Sequence, residues 1–514
     1  MSFGSLPRRR LLAQAAGLAG VALLPGAWSP ALAQARLPDD PFRLGVASGE
    51  PEPGGVVLWT RLAPSPLAPD GGMAPAPVEV VWEIAEDESF RRPAGRGRVL
   101  AVAEAGHSVH VEVEGLRPGR AYWYRFTAGG HRSPVGRTRT APAPGADVSR
   151  LRLAYGSCQK YEAGFYGAYP HLVEEDPDLV LFLGDYIYEQ APTDRGVRRH
   201  PGPEPMDVAG YRVRYGAYKS DPALQAAHAC APWMVIWDDH EVENDYGGDQ
   251  ARDGMDPASF LRRRAAAYQA YYEHMPLRRR SIPVGPQMLL HRALDWGNLA
   301  QLQFLDTRQH RPARTCDALS DGKLIPDCPE RTDSARSLLG AAQERWLMQT
   351  LAASRARWNL LAQQYVMAEL QRLTPEGVRY SNDGWGGYAQ TRARILRQWR
   401  DAAVANPLAL GGDIHCFVAG DVGLEPGRPI ASEFVGGSIS SLGASNADLA
   451  RLMAANPHLR FTEGERRGYG LVELTPRTTT VAFRAIDNAL VPASPVRDLA
   501  RFVVEAGEPG LKRA

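Results

Sequence analysis

Five polar clusters in this chain carry side chains able to hold metal ions and move protons, and each follows a short apolar run. Gly156-Ser157-Cys158 offers a soft sulfur donor. Gly184-Asp185-Tyr186-Ile187-Tyr188 sets out a carboxylate and, three residues on, a phenol. The stretch from Asp238 to Asp245 packs carboxylates, the imidazole of His240 and the amide of Asn244 together. Gln363-Gln364 adds two amides. Gly411-Gly412-Asp413-Ile414-His415 supplies two ligands at i and i+2, which face the same side of an extended segment. Thiolate, phenolate, imidazole, carboxylate and amide oxygen are all donors that metal ions take. Singly, each cluster is equally well a turn, a helix cap or a small buried side chain. Jointly they describe a metal centre, because all five stand at the same end of their strands.

The apolar runs are Leu151–Tyr155, Leu179–Leu183, Met234–Trp237, Asn359–Ala362 and Leu408–Leu410. Continuous apolar runs of this length predict strands buried on both faces, alternating with helices such as Ser259–Met275 and Gln343–Ser354. Such sheets bind ligands beyond the carboxyl ends of their strands, which is where the clusters fall. Residues 40–145 read differently. Gly55–Thr60, Val78–Ala85 and His107–Val113 are β-branched and aromatic, and no long helical stripe interrupts them. Leu116–Tyr122 resembles the tyrosine corner of immunoglobulin and fibronectin-like sandwiches. The expectation is an N-terminal all-β sandwich over 40–145, a Pro- and Ala-rich linker at 141–146, and an α/β domain over 150–507. Near the end, Ser494 reads as a cap before Pro495 and Gly507 as a stop. Val496, Leu499, Val503 and Ala506 form one stripe between them, which predicts a C-terminal helix.

A chain of 514 residues fits two domains, and 59 Lys+Arg against 58 Asp+Glu speaks against a nucleic-acid-binding surface. Within residues 1–35, Arg8-Arg9-Arg10, the apolar stretch Leu11–Leu24 and Ala31-Leu32-Ala33 have the order of an export signal. The arginine pair followed by x-Leu11-Leu12 looks like the twin-arginine (Tat) type, although Pro7 stands where Ser or Thr is commoner. The apolar stretch is shorter than the roughly 20 residues of a membrane span. The mature protein is therefore expected in the periplasm or secreted, after handling by the twin-arginine machinery. Five cysteines leave at least one unpaired. Cys316 and Cys328 share one polar loop and are the expected disulfide in an oxidising compartment, leaving Cys158, Cys230 and Cys416.

The order of the motifs resembles that of the alkaline phosphatase D (PhoD-like) family, within the calcineurin-like metallophosphatases. Asp185 and Tyr188 match the superfamily's G-D-x-x-Y outright. Gly156-Ser157-Cys158 stands for D-x-G, Asp238-Asp239-His240-Glu241 for G-N-H-E, and Gly411–His415 for G-H-x-H. Phe42–Gly49, Val57–Arg61 and Phe304–Arg308 are also similar to family segments. The resemblance implies a four-layer αββα metallophosphatase domain behind the sandwich, with the C-terminal helix over the active site. It implies a hydrolase of small phosphate esters, acting by in-line attack with one Fe(III) and two Ca(II). On that resemblance Cys158, Tyr188 and His415 face the iron, and Asp185 bridges it to a neighbouring metal. Asp239, Asn244 and Asp413 supply oxygen to calcium, while Asp238, Asp245, Gln363 and Gln364 stay open as ligands. His240 is the implied proton donor, and Arg308, Trp385 and Tyr388 are the implied substrate contacts. The family's D-x-W-D-G-Y appears here as Asp383–Tyr388, with Gly386 replacing the second Asp. Two rival readings are a phospholipase D-like phosphodiesterase with the same metals and a non-catalytic exported binding protein. Intact Asp185, His240 and His415 count against the second.

Overall fold

A computed structural model describes residues 36–320 and 322–514; the expected export signal at 1–35 lies outside them. The first three clusters are carried by Leu151–Gly156, Leu179–Leu183 and Trp233–Ile236, adjacent parallel strands of a ten-stranded sheet. The other two follow Trp358–Ala362 and Pro407–Gly411, parallel neighbours in a seven-stranded sheet. Every residue of the last four of these strands is buried, as their unbroken apolar character requires.

The two sheets face each other. Phe434 of the second sheet packs against Phe483 and Phe502 of the first. On the outer face of the first sheet, Trp233 meets Tyr169 of the helix Ala168–Glu174 and stacks on His228 of Pro222–Cys230. On the outer face of the second, Leu361, Ala409 and Val435 pack with Leu347, Ile395 and Leu449. Those three come from the helices Gly340–Ala353, Ala389–Asp401 and Asn446–Ala455. Helix, sheet, sheet and helix form four layers.

The N-terminal strands Val46–Glu52, Gly55–Arg61 and Ser108–Val113 form one sheet of a sandwich. Val56, Leu58 and Val111 of that sheet pack against Val80, Ile84, Tyr124 and Phe126 of a five-stranded sheet. The first of these sheets continues into the ten-stranded sheet, because Val46–Glu52 pairs in parallel with Trp233–Ile236 through Gly49 and Trp233. A Cβ at Gly49 would stand 2.5 Å from the Pro276 carbonyl oxygen and 2.6 Å from that of Trp233, so only glycine allows this seam. The Tyr122 hydroxyl accepts from the Arg117 N–H at 2.9 Å, tying the corner before its strand.

One expectation is corrected. The segment read as a C-terminal helix is the strand Val496–Glu505, antiparallel to Thr478–Ile486. Its alternate residues Ala500, Phe502 and Val504 are buried, which is a two-residue period. Phe502, at the border of the helical stripe, enters the core between the sheets, where full burial of such a ring contributes about 1.5–3 kcal/mol. Ser494 accepts from the Asn488 N–H and closes a turn instead of capping a helix. Among the described residues no helix is long and apolar enough to cross a membrane.

Candidate metal centre

Beyond the strand ends the chain turns sharply, in left-handed backbone. Cys158 (φ 58°), Asp185 (57°), Asp245 (62°), Asp413 (61°) and His415 (56°) all adopt it without being glycine. Each such residue costs on the order of 1 kcal/mol, and all five lie beyond the strand ends of the two facing sheets, where strain of this kind commonly accompanies a functional site. The accompanying glycines permit close packing. At Gly184 (φ 102°) a Cβ would stand 2.5 Å from Asp238 Cβ, and at Gly412 it would run into the Ser157 hydroxyl.

Three overlapping groups of ligand atoms result, each lying within 4.8 Å of one another: Cys158, Asp185 and His415; Asp185, Asp239 and His240; Asp239, Asp245 and Asp383. Tyr188 belongs with the first. Its hydroxyl donates to Asp185 Oδ2 at 2.8 Å, stands 3.0 Å from His415 Nε2, and accepts from Ser441 Oγ at 2.8 Å. His415 Nδ1 is held by the Leu442 carbonyl at 2.8 Å, leaving Nε2 facing the group. Burial, reinforced by Asp185, pushes both the Cys158 thiol and the Tyr188 phenol well above their ordinary values. Asp185 Oδ1 and Asp238 Oδ2 are buried without a hydrogen-bond partner. Such orphaned carboxylate oxygens are costly, and a cation beside them removes the cost while favouring thiolate and phenolate. Sulfur, phenol, imidazole and carboxylate donors around one point therefore fit a metal ion.

Two glutamates absent from the expected set hold this arrangement. Glu241 is fully buried and accepts from the N–H groups of Asp185 (3.1 Å), Asp238 (2.9 Å) and Tyr186 (2.6 Å), binding two strand ends together. Glu189 contacts His240 Nδ1 at 2.6 Å and accepts from the Asn244 N–H at 3.0 Å. Each abuts a residue singled out in the sequence, Glu189 after Tyr188 and Glu241 after His240, and that adjacency was the available signal. Burial opposes the charge on His240, but Glu189, Asp185 and Asp239 hold its imidazole well above the ordinary value. Asp239 accepts from the His240 and Asp245 N–H groups at 3.0 and 2.6 Å. Burial pushes the Asp413 carboxyl up to about 8.

The expected substrate contacts Arg308, Trp385 and Tyr388 are hydrogen-bonded within the protein. Arg308 is fully buried and spends its guanidinium on Asp238 (2.5 Å) and Asp383 (2.9 and 3.1 Å), with Asp239 at 3.4 Å and Asp413 at 3.8 Å. Trp385 donates to Gln363 Oε1 at 3.0 Å, and the Tyr388 hydroxyl donates to the carbonyls of Pro312 and Ala313. All three side chains are enclosed by protein, as Cys158, Asp185 and Tyr188 of the centre are. Gln363 and Gln364 bind Tyr365, Thr307 and the Trp237 and Leu305 carbonyls, which occupies both amides. At Gly386 a Cβ would lie 2.7 Å from the Ser381 carbonyl oxygen, so a larger residue would have to shift the backbone there. Cys316 and Cys328 form a disulfide, and Cys158, Cys230 and Cys416 are free.

Known proteins resemble this chain in sequence and fold. The chain is 43% identical over 485 residues to alkaline phosphatase D of Bacillus subtilis (strain 168), covering 92% of this chain and 82% of that one. A solved structure described as that of PhoD superposes with a TM-score of 0.89 at 42% identity, covering 93% of each chain. The purple acid phosphatase PPD1 of yellow lupin (Lupinus luteus) shares the fold at a TM-score of 0.56 and 12% identity, over 90% of this chain and 74% of that one. The PhoD-like phosphatase model matches residues 153–483, and that of its N-terminal domain matches 27–142. From the five strand ends to the sandwich before them, this chain belongs to the PhoD-like phosphatase family.

Proposed function

We propose that this chain is an exported, metal-dependent phosphoesterase that hydrolyses phosphate monoesters and, with the same machinery, diesters. The observation that carries the reading is the buried group of Cys158, Asp185, Tyr188 and His415, with Asp185 Oδ1 left unpartnered. Thiolate, phenolate and imidazole favour ferric iron there, and the oxygens of Asp239, Asn244 and Asp413 favour calcium beside it. Ions held by these residues would supply positive charge to the phosphoryl oxygens and lower the pKa of an attacking water. The protein's own part is positional. Ser441 and Asp185 fix the Tyr188 oxygen between them. Glu189 fixes one nitrogen of His240 and favours its cationic form, so Nε2 carries a proton for the departing ester oxygen. Glu241 holds Asp185 and Asp238 at fixed separation. The N-terminal sandwich reads as an immunoglobulin-like module, supported by the Tyr122–Arg117 corner bond.

The test is turnover of p-nitrophenyl phosphate and bis-p-nitrophenyl phosphate before and after exhaustive chelation with EGTA. Activity should disappear and return with added calcium. Undiminished turnover after chelation refutes a calcium-dependent mechanism. Export is checked separately by replacing Arg8 and Arg9 with lysine, which should leave the protein in the cytoplasmic fraction.

A further inference from the structure

The three ligand groups are unequally supplied with the protein's own positive charge. Three cations from three loops converge on the buried carboxylate of Asp245. Lys323 Nζ stands 2.5 Å from Oδ1, Arg252 pairs with Oδ2, and Arg314 lies 3.9 Å away. Asp383 is held by Arg308 at 2.9 Å and by Arg311 at 2.8 Å. At the other end of the centre, Arg308 pairs with Asp238 at 2.5 Å, but neither Lys nor Arg pairs with Asp185 among the described residues, and its Oδ1 has no hydrogen-bond partner. Buried carboxylates are tolerated when a cation compensates them. At the Asp245 end Lys and Arg side chains meet that requirement, whereas Asp185 has neither beside it among the described residues and is faced only by the imidazoles of His240 and His415.

Lys323 is also carried by a stiff support. The Cys316–Cys328 disulfide closes its loop. Its carbonyl accepts from the Asn382 N–H at 2.9 Å. The next two residues, Leu324–Ile325, pair antiparallel with Gly377–Ser381, the strand that ends two residues before Asp383. One small sheet thus sets the positions of Lys323 and Asp383 together. A lysine ammonium is a compact point charge, suited to a site shared by several carboxylates.

We propose that Lys323 is the built-in cation of the third group: paired with Asp245, its ammonium supplies the positive charge that a divalent ion among Asp239, Asp245 and Asp383 would otherwise bring, confining bound metal to the Asp185 end. This goes beyond the metal-dependent reading above and rests on it. Lys323 is then a positioning residue, acting through Asp245, whose N–H donates to Asp239 at 2.6 Å. A divalent ion entering the third group would have to displace the ammonium and also face Arg308, which contacts both Asp239 and Asp383.

The experiment compares full-length wild type, Lys323→Gln and Lys323→Arg, each loaded with calcium as the only added ion and freed of excess by gel filtration. Metal per chain is then counted by mass spectrometry. Lys323→Gln should hold one more calcium per chain than wild type, and Lys323→Arg, which keeps the charge, should match wild type. An unchanged count in Lys323→Gln, or a lower one, overturns the proposal. A second measurement does not depend on any variant folding. Anomalous diffraction from calcium-soaked wild-type crystals should show no ion within ligand distance of Asp245, and an ion found there overturns the proposal equally. A wild type with no metal at any group refutes the metal-dependent reading itself, and that zero count separates it from the other outcomes.

Discussion

Replacing Glu241 by glutamine changes one atom of a buried side chain and should cost both stability and metal. Glu241 Oε2 accepts two backbone N–H groups, from Asp185 and Asp238, and Oε1 accepts one, from Tyr186. An amide keeps only one acceptor oxygen. Turned towards Asp185 and Asp238, it sets its NH2 against the Tyr186 N–H and leaves two donors without acceptors. Turned the other way, it leaves more. At about 1–3 kcal/mol for each unsatisfied buried donor, the loss is about 2–6 kcal/mol. Urea unfolding of the chelated protein measures it without the stabilisation that metal binding adds to the native state. The strand end bearing Asp185 then loses its fastening to the one bearing Asp238, so metal content of the loaded protein should fall in parallel. A Glu241→Gln protein within about 0.5 kcal/mol of wild type, with full metal content, refutes the reasoning, since that is the scatter of an ordinary surface substitution.

Two further outcomes are expected. Tyr188→Phe removes the oxygen between Asp185, His415 and Ser441 and keeps the ring, so the visible charge-transfer absorption of iron-loaded protein should vanish or shift while stability falls by only about 1–2 kcal/mol; an unchanged spectrum excludes Tyr188 as a ligand. Gly184→Ala forces a Cβ towards Asp238 at a φ of 102°, and strain plus overpacking should lower the unfolding free energy by about 2–4 kcal/mol, read from the denaturation midpoint.

The ligand-bearing strand ends were legible because their signal is local. A run such as Leu179–Leu183 has no polar face, so it must be buried on both sides, and the first polar residues after it must emerge at the sheet edge. The clusters that contain Asp185, Tyr188, Asp239, His240, Asp413 and His415 follow from that argument, while the choice among Asp238–Asp245 came from the family resemblance. The structure brings the named residues close together. The segment Val496–Glu505 was ambiguous for the same local reason. Its apolar residues satisfy a helical stripe and a strand alternation alike, and only pairing with Thr478–Ile486 decides between them.

What the sequence determined by itself is which residues stand at the strand ends and which donor chemistry they offer. What only the tertiary structure decided is how their charges are balanced. Arg308 reaches Asp238 across 70 positions, and Lys323 reaches Asp245 from a disulfide-closed loop. Those pairings spend on the protein's own carboxylates an arginine that the motif alone offers to a phosphate. The physical reason is one of range: burial and backbone period act between near neighbours in the chain, whereas a buried charge is compensated by whatever the fold brings within a few ångströms.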